Sequence, residues 1–544
     1  MKRLFKKILC VFAVAFVLVS CSNDKDAIST DSTSNTNVSE KKDELVLGIG
    51  SEPDNGWDPI KGSTHYSARI FQSALLKRDV DLNIVEDLAQ DYSISDDKLT
   101  YTINLRKDVK WSDGEDFKAD DVVFTYNLAK KELTPGVNLT RFVEARKIDD
   151  YTVELVLNSP DISFTSSMCD LAIVPKHAYN DEYYKNPIGT GPFKLVEWKK
   201  GQQLIVEPNE YYYGDKSPFK KLTFLFFDDE NQALATAKTG KCDMIRIPYT
   251  ANDIKIDGFH IESLRTVDNR GISMPVMPNN GEKTTSDQIA ENVPIGNDVT
   301  SDIAIRKALN IAMDRQEIID DVLNGEGTKA TSIADGLPWY NEETSDLKDG
   351  DIEKANKILD EAGWNMSDDG IREKNGVKAQ FKLLYSYKDR EDIALYFKEK
   401  AKEIGIDVQT TYGDWDMIAP KMYSEAILFG WGGYDPLEMY YSYSSKFKGY
   451  DYYNANYYGN DKVDEYFEKG LSSTDVDSLN ENFKKAQWDG NTGLSWKGDC
   501  PWIWLVNENH LYLVNDNLDI GKQKIEPHGG GWTIMDTVSN WEWK

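Results

Sequence analysis

About 500 residues follow Lys42, roughly twice the length at which a single hydrophobic core stops growing, so the chain must fold as two or three subdomains. No segment among them approaches 18 consecutive apolar residues, which leaves nothing able to cross a bilayer as a helix and excludes a helical channel or permease. Strand-like and helix-like patterns alternate along the whole stretch without a fixed repeat, which argues for α/β subdomains rather than a solenoid or propeller.

Several elements can be placed from pattern alone. Leu99 to Leu105 and Tyr151 to Leu157 alternate as strands do, and Ala119 to Phe124 reads as a helix start with Asp120 and Asp121 in its first turn. Leu204 to Val206 and Leu222 to Phe227 are further strands, and a helix is expected over Asn231 to Lys238, stopped by Gly240. Helical faces follow over Ile303 to Met313, Ile352 to Ala362 and Ile393 to Ile404, the last leading into a strand at Ile406 to Val408. Tyr423 to Tyr458 is extreme in aromatic density, and because each buried tyrosine hydroxyl needs a partner, some of these rings are expected to line a cleft.

The N-terminus carries a separate message. Lys2, Arg3, Lys6 and Lys7 precede an apolar run from Ile8 to Val19 that is too short to span a membrane, which predicts a cleaved export signal over residues 1–20. Leu18-Val19-Ser20-Cys21 resembles a bacterial lipobox, and that resemblance implies a mature chain beginning at a lipidated Cys21 and held at the outer face of a membrane. Residues 22–42 are rich in Ser, Thr, Asn, Asp and Lys and cannot bury enough surface to offset their entropy, so residues 21–42 are expected to act as a tether.

Lys and Arg number 63 against 92 Asp and Glu, a net charge of −29, which repels nucleic acid and anionic headgroups. Of the five cysteines, Cys10 leaves with the signal and Cys21 is assigned to lipid. Cys169, Cys242 and Cys500 are too few and too scattered for a disulfide framework or a metal site. The five histidines, among them His528 beside Gly529-Gly530-Gly531, show no pair at helical ligand spacing; His528 is the one candidate for a metal contact. No Gly-x-Ser-x-Gly elbow or His-Glu-x-x-His helix is present, and adjacent acids such as Asp120-Asp121 are splayed rather than opposed, so no catalytic residues and no cofactor are expected.

Several separated blocks resemble one family. They include Glu86-Asp87-Leu88-Ala89, Tyr101-Thr102-Ile103-Asn104-Leu105-Arg106, Val109-Lys110-Trp111-Ser112-Asp113-Gly114, Gly189-Thr190-Gly191-Pro192-Phe193, Gly240-Lys241-Cys242-Asp243 and Met313-Asp314-Arg315. Together they resemble the family 5 extracellular solute-binding proteins, the peptide and nickel receptors of ABC importers. The resemblance implies a type II periplasmic-binding-protein-like fold (cluster C), with two α/β lobes, a hinge and an extra inserted domain. The expected division is a discontinuous first lobe from residues 43–68, 190–270 and 500–544, an extra domain over 69–189 and a second lobe over 271–499. Most of these motif residues have structural readings: Gly189 and Gly191 allow backbone approaches that a Cβ would forbid, and Asp314-Arg315 suits an internal ion pair.

The resemblance also implies a monomeric receptor that encloses a peptide between its lobes and delivers it to a membrane permease, with a nickel-chelate receptor as the alternative. Its ligand block corresponds to Gly430-Trp431-Gly432-Gly433-Tyr434-Asp435-Pro436, in which the acid stands four residues after the tryptophan, one later than in the peptide pattern. Trp431 and Asp435 are the expected ligand contacts, with Tyr434 and Trp111 behind them. Arg141, Arg146 and Arg270 are candidates for the cation that would meet a ligand carboxylate.

Overall fold

Three sheets organise the chain. The computed structural model describes residues 42–63, 69–227, 230–285, 291–387, 390–450, 452–529 and 531–544, so the expected export signal, Cys21 and nearly all of the tether lie outside the described residues. The first sheet has seven strands in the order Phe259–Leu264, His510–Asn515, Met244–Ile247, Glu44–Gly48, Lys221–Leu225, Gln203–Pro208 and Phe193–Lys199. Its centre is parallel, Glu44–Gly48 running alongside both Lys221–Leu225 and Met244–Ile247. Leu45 and Leu47 are fully buried there, each contributing about 1.5–3 kcal/mol of apolar burial.

The second sheet has six strands in the order Gly327–Lys329, Trp502–Glu508, Asn269–Ser273, Ala426–Phe429, Gln380–Tyr385 and Asp407–Tyr412. Helices Ile303–Ala312, Ile352–Glu361 and Glu391–Glu403 share one core with Ile272, Leu383 and Leu428. Leu437–Tyr443, Asp461–Leu471 and Val476–Gln487 contribute to another with Trp502, Trp504 and Phe429. The third sheet, Ala89–Ile94, Thr100–Leu105, Thr152–Leu157 and Phe142–Asp149, is antiparallel throughout and carries the helix Ala119–Glu132. That helix starts where the pattern places it: the Asp121 carboxylate accepts the Lys118 N–H at 3.0 Å, satisfying an orphan donor.

One expected boundary moves. Trp502–Glu508 belongs to the second sheet rather than the first lobe, pairing with Asn269–Ser273 and Gly327–Lys329, and only His510–Asn515 returns to the seven-stranded sheet. Asn269 and Arg270 likewise open a strand of the second sheet. The reason is that Trp502 to Asn507 are buried without alternation, so the run fits the middle of either sheet and only its partners decide. The chain therefore crosses between the two large sheets at residues 265–268 and again at Asn509.

The glycine motif has the role expected of it. A Cβ on Gly189 would lie 1.7 Å from the Phe71 carbonyl oxygen, and the Gly191 N–H donates to that same oxygen at 2.8 Å. Close backbone approach explains these glycines. Cys169, Cys242 and Cys500 are free and buried.

Candidate functional site

The strand Ala426–Phe429 is buried along its whole length and ends at Gly430, where a Cβ would meet the Asn269 carbonyl oxygen at 1.7 Å. Asn269 then holds the turn: its backbone N–H donates to the Trp431 carbonyl at 3.1 Å, and its side-chain oxygen accepts the Trp431 N–H at 2.8 Å. Asn269 sits just beyond the crossing at 265–268, so the loop after Gly430 is fastened where the chain passes between the sheets. The next residue is fastened too, since the His528 N–H donates to the Gly432 carbonyl at 2.8 Å.

A methyl group on Gly432 would approach the His528 Cβ at 2.8 Å and the Val267 carbonyl at 2.9 Å. Gly432→Ala is therefore expected to lower stability by about 1–3 kcal/mol through forced backbone displacement, read as a lower urea midpoint.

Trp431 stacks on Tyr453 with ring centroids 5.7 Å apart and planes 10° from parallel, and it meets Phe429 edge-on at 5.9 Å. Its indole N–H is buried and has no hydrogen-bond partner among the described residues. Asp435 opens the helix Leu437–Tyr443, accepting the Leu437 N–H at 2.9 Å. No cation among the described residues lies within ion-pair distance of this carboxylate. Part of the residue meets solvent, but the carboxyl group is packed round by protein; burial pushes its pKa well above the ordinary 3.8, the Leu437 N–H and the Arg78 charge oppose this, and the Asp170 and Glu438 charges add to it. Glu438 is raised as well, chiefly by burial, while its carboxylate accepts the Gly433 N–H at 2.9 Å.

Tyr434 joins three parts of the chain. Its hydroxyl donates to the Ile525 carbonyl, and its own carbonyl accepts the Arg78 guanidinium at 2.7 Å, while Arg78 also reaches the Ser166 hydroxyl at 2.8 Å. Two further contacts join these stretches of chain, with Asn138 donating to the Tyr441 hydroxyl at 2.5 Å and the Ile162 N–H to the Leu471 carbonyl at 2.9 Å.

Trp111 is not brought to this loop. It is fully buried in the core packed on the third sheet, with Phe117 at 6.0 Å and His177 at 6.2 Å between ring centroids, and its indole N–H faces Asp121 at 3.4 Å. The three expected cations are engaged elsewhere. Arg146 pairs with Glu144 on an exposed strand, Arg141 donates to the Pro160 carbonyl at 2.6 Å, and Arg270 is buried between Asp268 and Glu508, the latter at 2.5 Å. His528 faces Asp268 at 2.6 Å rather than a ligand set, and among the described residues no group of three or more His, Cys, Asp or Glu is arranged to hold a metal ion.

Asp268 is the hub of a charged network at the crossing. Burial would raise its carboxyl, but Arg270 and His528 hold it well below the ordinary range. Sequence reasoning did not find Arg78, Asn269 or Asp170. Arg78 lies more than 350 residues from the carbonyl it holds, and nothing in its neighbourhood of sequence marks it.

The tyrosine-rich stretch is mostly structural. Tyr440 donates to Glu468 at 2.7 Å and Tyr458 to Asp499 at 2.8 Å, and the Tyr443 hydroxyl accepts the Trp504 indole N–H at 2.9 Å.

A family model for the bacterial extracellular solute-binding proteins, family 5, matches residues 83–453. The chain belongs to that family. Protein XP55 of Streptomyces lividans is 31% identical over 498 residues, covering 88% of this chain and 86% of its relative. The oligopeptide-binding protein AppA of Bacillus subtilis is 29% identical over 548 residues, covering 94% of each chain.

Among solved structures, AppA from Bacillus subtilis in complex with a nonapeptide superposes with a TM-score of 0.68 at 26% identity, over 93% of this chain and 99% of the other. NikZ from Campylobacter jejuni in complex with Ni(L-His) gives 0.71 at 23% identity, over 92% and 99%, a likeness of fold. This family 5 protein therefore has the type II periplasmic-binding-protein fold that the motif blocks imply, and family 5 is a family of solute-binding proteins, not of enzymes.

Proposed function

We propose that this protein is the receptor of an ABC importer for short peptides and that Asp435 takes the peptide's α-amino group, with Trp431 beside it. The observation that carries this reading is the Asp435 carboxylate itself: enclosed, raised in pKa, and without a cation at pairing distance among the described residues. A bound ammonium would supply the missing charge and convert a costly burial into a charge-assisted hydrogen bond. The family relationship to an oligopeptide-binding protein over nearly the whole chain supports the same solute class.

An acidic metal chelate is a poorer match: beside Asp435 its carboxylates would meet the fields of Asp170 and Glu438, with the charge of Arg78 opposing them. The readings for Cys21 and the export signal belong to the same proposal: the receptor is tethered by acyl chains at the outer membrane face and works as a monomer that passes its ligand to permease subunits.

Native mass spectrometry of residues 43–544, purified without a chelating column, tests the solute class. Co-purified masses matching short peptides are expected; one small acidic ligand carrying nickel would refute the peptide reading. Trp431→Ala should weaken peptide binding about thirtyfold, the loss of one buried aromatic anchor, while leaving the far-ultraviolet spectrum unchanged. An unchanged affinity in calorimetry would remove Trp431 from the site.

A further inference from the structure

Tyr423, Tyr440, Tyr443 and Tyr458 are buried and fixed within the core, but a group of rings at the Trp431 loop keeps part of its surface in solvent. Trp431, Tyr441 and Tyr453 are each half-buried. Tyr453 lies nearly parallel to Trp431, and its ring centroid is 4.7 Å from that of Tyr441. Tyr441 stands on the helix that Asp435 opens, and burial, then the Asp435 charge, raises its hydroxyl pKa, so the ring lies close enough to feel that carboxylate.

The ring surface continues outward from Trp431. Beyond Phe429 comes Trp415, edge-on at 6.0 Å, and Trp415 meets Tyr452 edge-on at 5.5 Å, where 38% of the tyrosine is exposed. Contiguous apolar surface open to solvent beside an enclosed charge has the character of a ligand-binding face rather than of a core. The acids around Asp435 are met from within the protein: Glu438 accepts the Gly433 N–H at 2.9 Å, and buried Asp170 lies in the fields of Arg78 and Arg69. A second ligand cation therefore gains little there, an acidic side chain is repelled, and an apolar one fits both the rings and the charges.

We infer that this receptor selects peptides by their first residue, favouring an aromatic or large aliphatic side chain that packs against Trp431, Tyr441 and Tyr453. The inference rests on the amine contact proposed at Asp435. The first side chain leaves the carbon that carries the ammonium, so an ammonium held by Asp435 delivers that side chain to the neighbouring rings.

Calorimetric titration of the full mature chain with Phe-Ala-Ala, Ala-Ala-Ala, Lys-Ala-Ala and Ala-Ala-Phe tests it. Phe-Ala-Ala is expected to bind about tenfold tighter than Ala-Ala-Ala or more, the gain from packing one aromatic side chain on the rings, and clearly tighter than the other two peptides. In Tyr453→Ala the ratio of the Phe-Ala-Ala affinity to the Ala-Ala-Ala affinity should fall to within about threefold, and Tyr453→Phe should keep it; a loss of stability alone would not move this ratio.

The inference is overturned if Phe-Ala-Ala and Ala-Ala-Ala bind alike, if Lys-Ala-Ala or Ala-Ala-Phe binds as tightly as Phe-Ala-Ala, or if the ratio survives in Tyr453→Ala. Asp435→Asn separates this failure from failure of the amine contact. If the two peptides bind alike yet both weaken in that variant, only the side-chain preference falls; if neither depends on Asp435, the amine contact falls with it. The peptide comparison uses the unaltered protein, so a variant that fails to fold does not protect the inference.

Discussion

Asp435→Asn is expected to lose affinity for a short alanine peptide by about a hundredfold or more while raising the thermal midpoint of the empty protein. The first effect follows from removing the only charge proposed to meet the ligand's amine, where breaking a desolvated charge pair costs about 2–5 kcal/mol. The second follows from the direction of the Asp435 shift. A carboxyl whose folded pKa lies above its ordinary 3.8 is penalised by folding whenever it is ionised in the unfolded chain.

The penalty is therefore complete above the raised value, shrinks as pH falls through the window between the two, and is absent below the ordinary one. The stabilisation by Asn should follow that course, present at neutral pH and gone in acid. An N-acetylated form of the same peptide supplies the control: it should bind the unaltered protein weakly, and Asp435→Asn should no longer distinguish the two forms. If the variant still discriminates between free and acetylated amino groups, the amine is held elsewhere.

The second large effect is one of stability. Arg315 is 1% exposed, and its guanidinium donates to the carbonyls of Ala330 at 2.8 Å and Trp504 at 2.6 Å, to the Asn310 side-chain oxygen at 2.7 Å and to Asp349 at 2.7 Å. Arg315→Met removes every donor at once and leaves buried acceptors unpaired, so about 3–5 kcal/mol should be lost, seen as a large drop in the urea midpoint at unchanged slope. Because the partners of Arg315 (Ala330, Trp504, Asn310 and Asp349) include neither Trp431 nor Asp435, peptide affinity measured below the transition should stay within about twofold. The ion pair expected for Asp314-Arg315 is thus made differently. Asp314 caps the turn that follows it, accepting the Gln316 N–H at 2.9 Å, and Arg315 turns inward to Asp349.

The regular elements were legible wherever one face was buried and the other wet. Thr100–Leu105, Ile303–Ala312 and Ile352–Glu361 fall within a few residues of the predicted spans, and Ala119–Glu132 begins at the predicted start, because alternation and the 3.6-residue stripe record burial directly. Trp502–Glu508 was not legible in the same way: a run buried on both faces carries no mark of the sheet it joins. Trp111 shows a different limit. A tryptophan inside a family motif can be retained for packing alone, and only its zero exposure separates that role from a ligand contact.

What the sequence determined by itself was the family, the α/β architecture and the loop at Trp431 to Asp435, because these are local patterns and recurring motif blocks. What the tertiary structure decided was the electrostatic setting of that loop. Asn269, Arg78 and His528 reach it from three distant segments, and the candidate cations Arg141, Arg146 and Arg270 are spoken for by neighbours that no spacing reveals. The reason is physical: a charge acts over several ångströms in a low-dielectric interior, and which charges come that close depends on how the sheets pack rather than on their order along the chain.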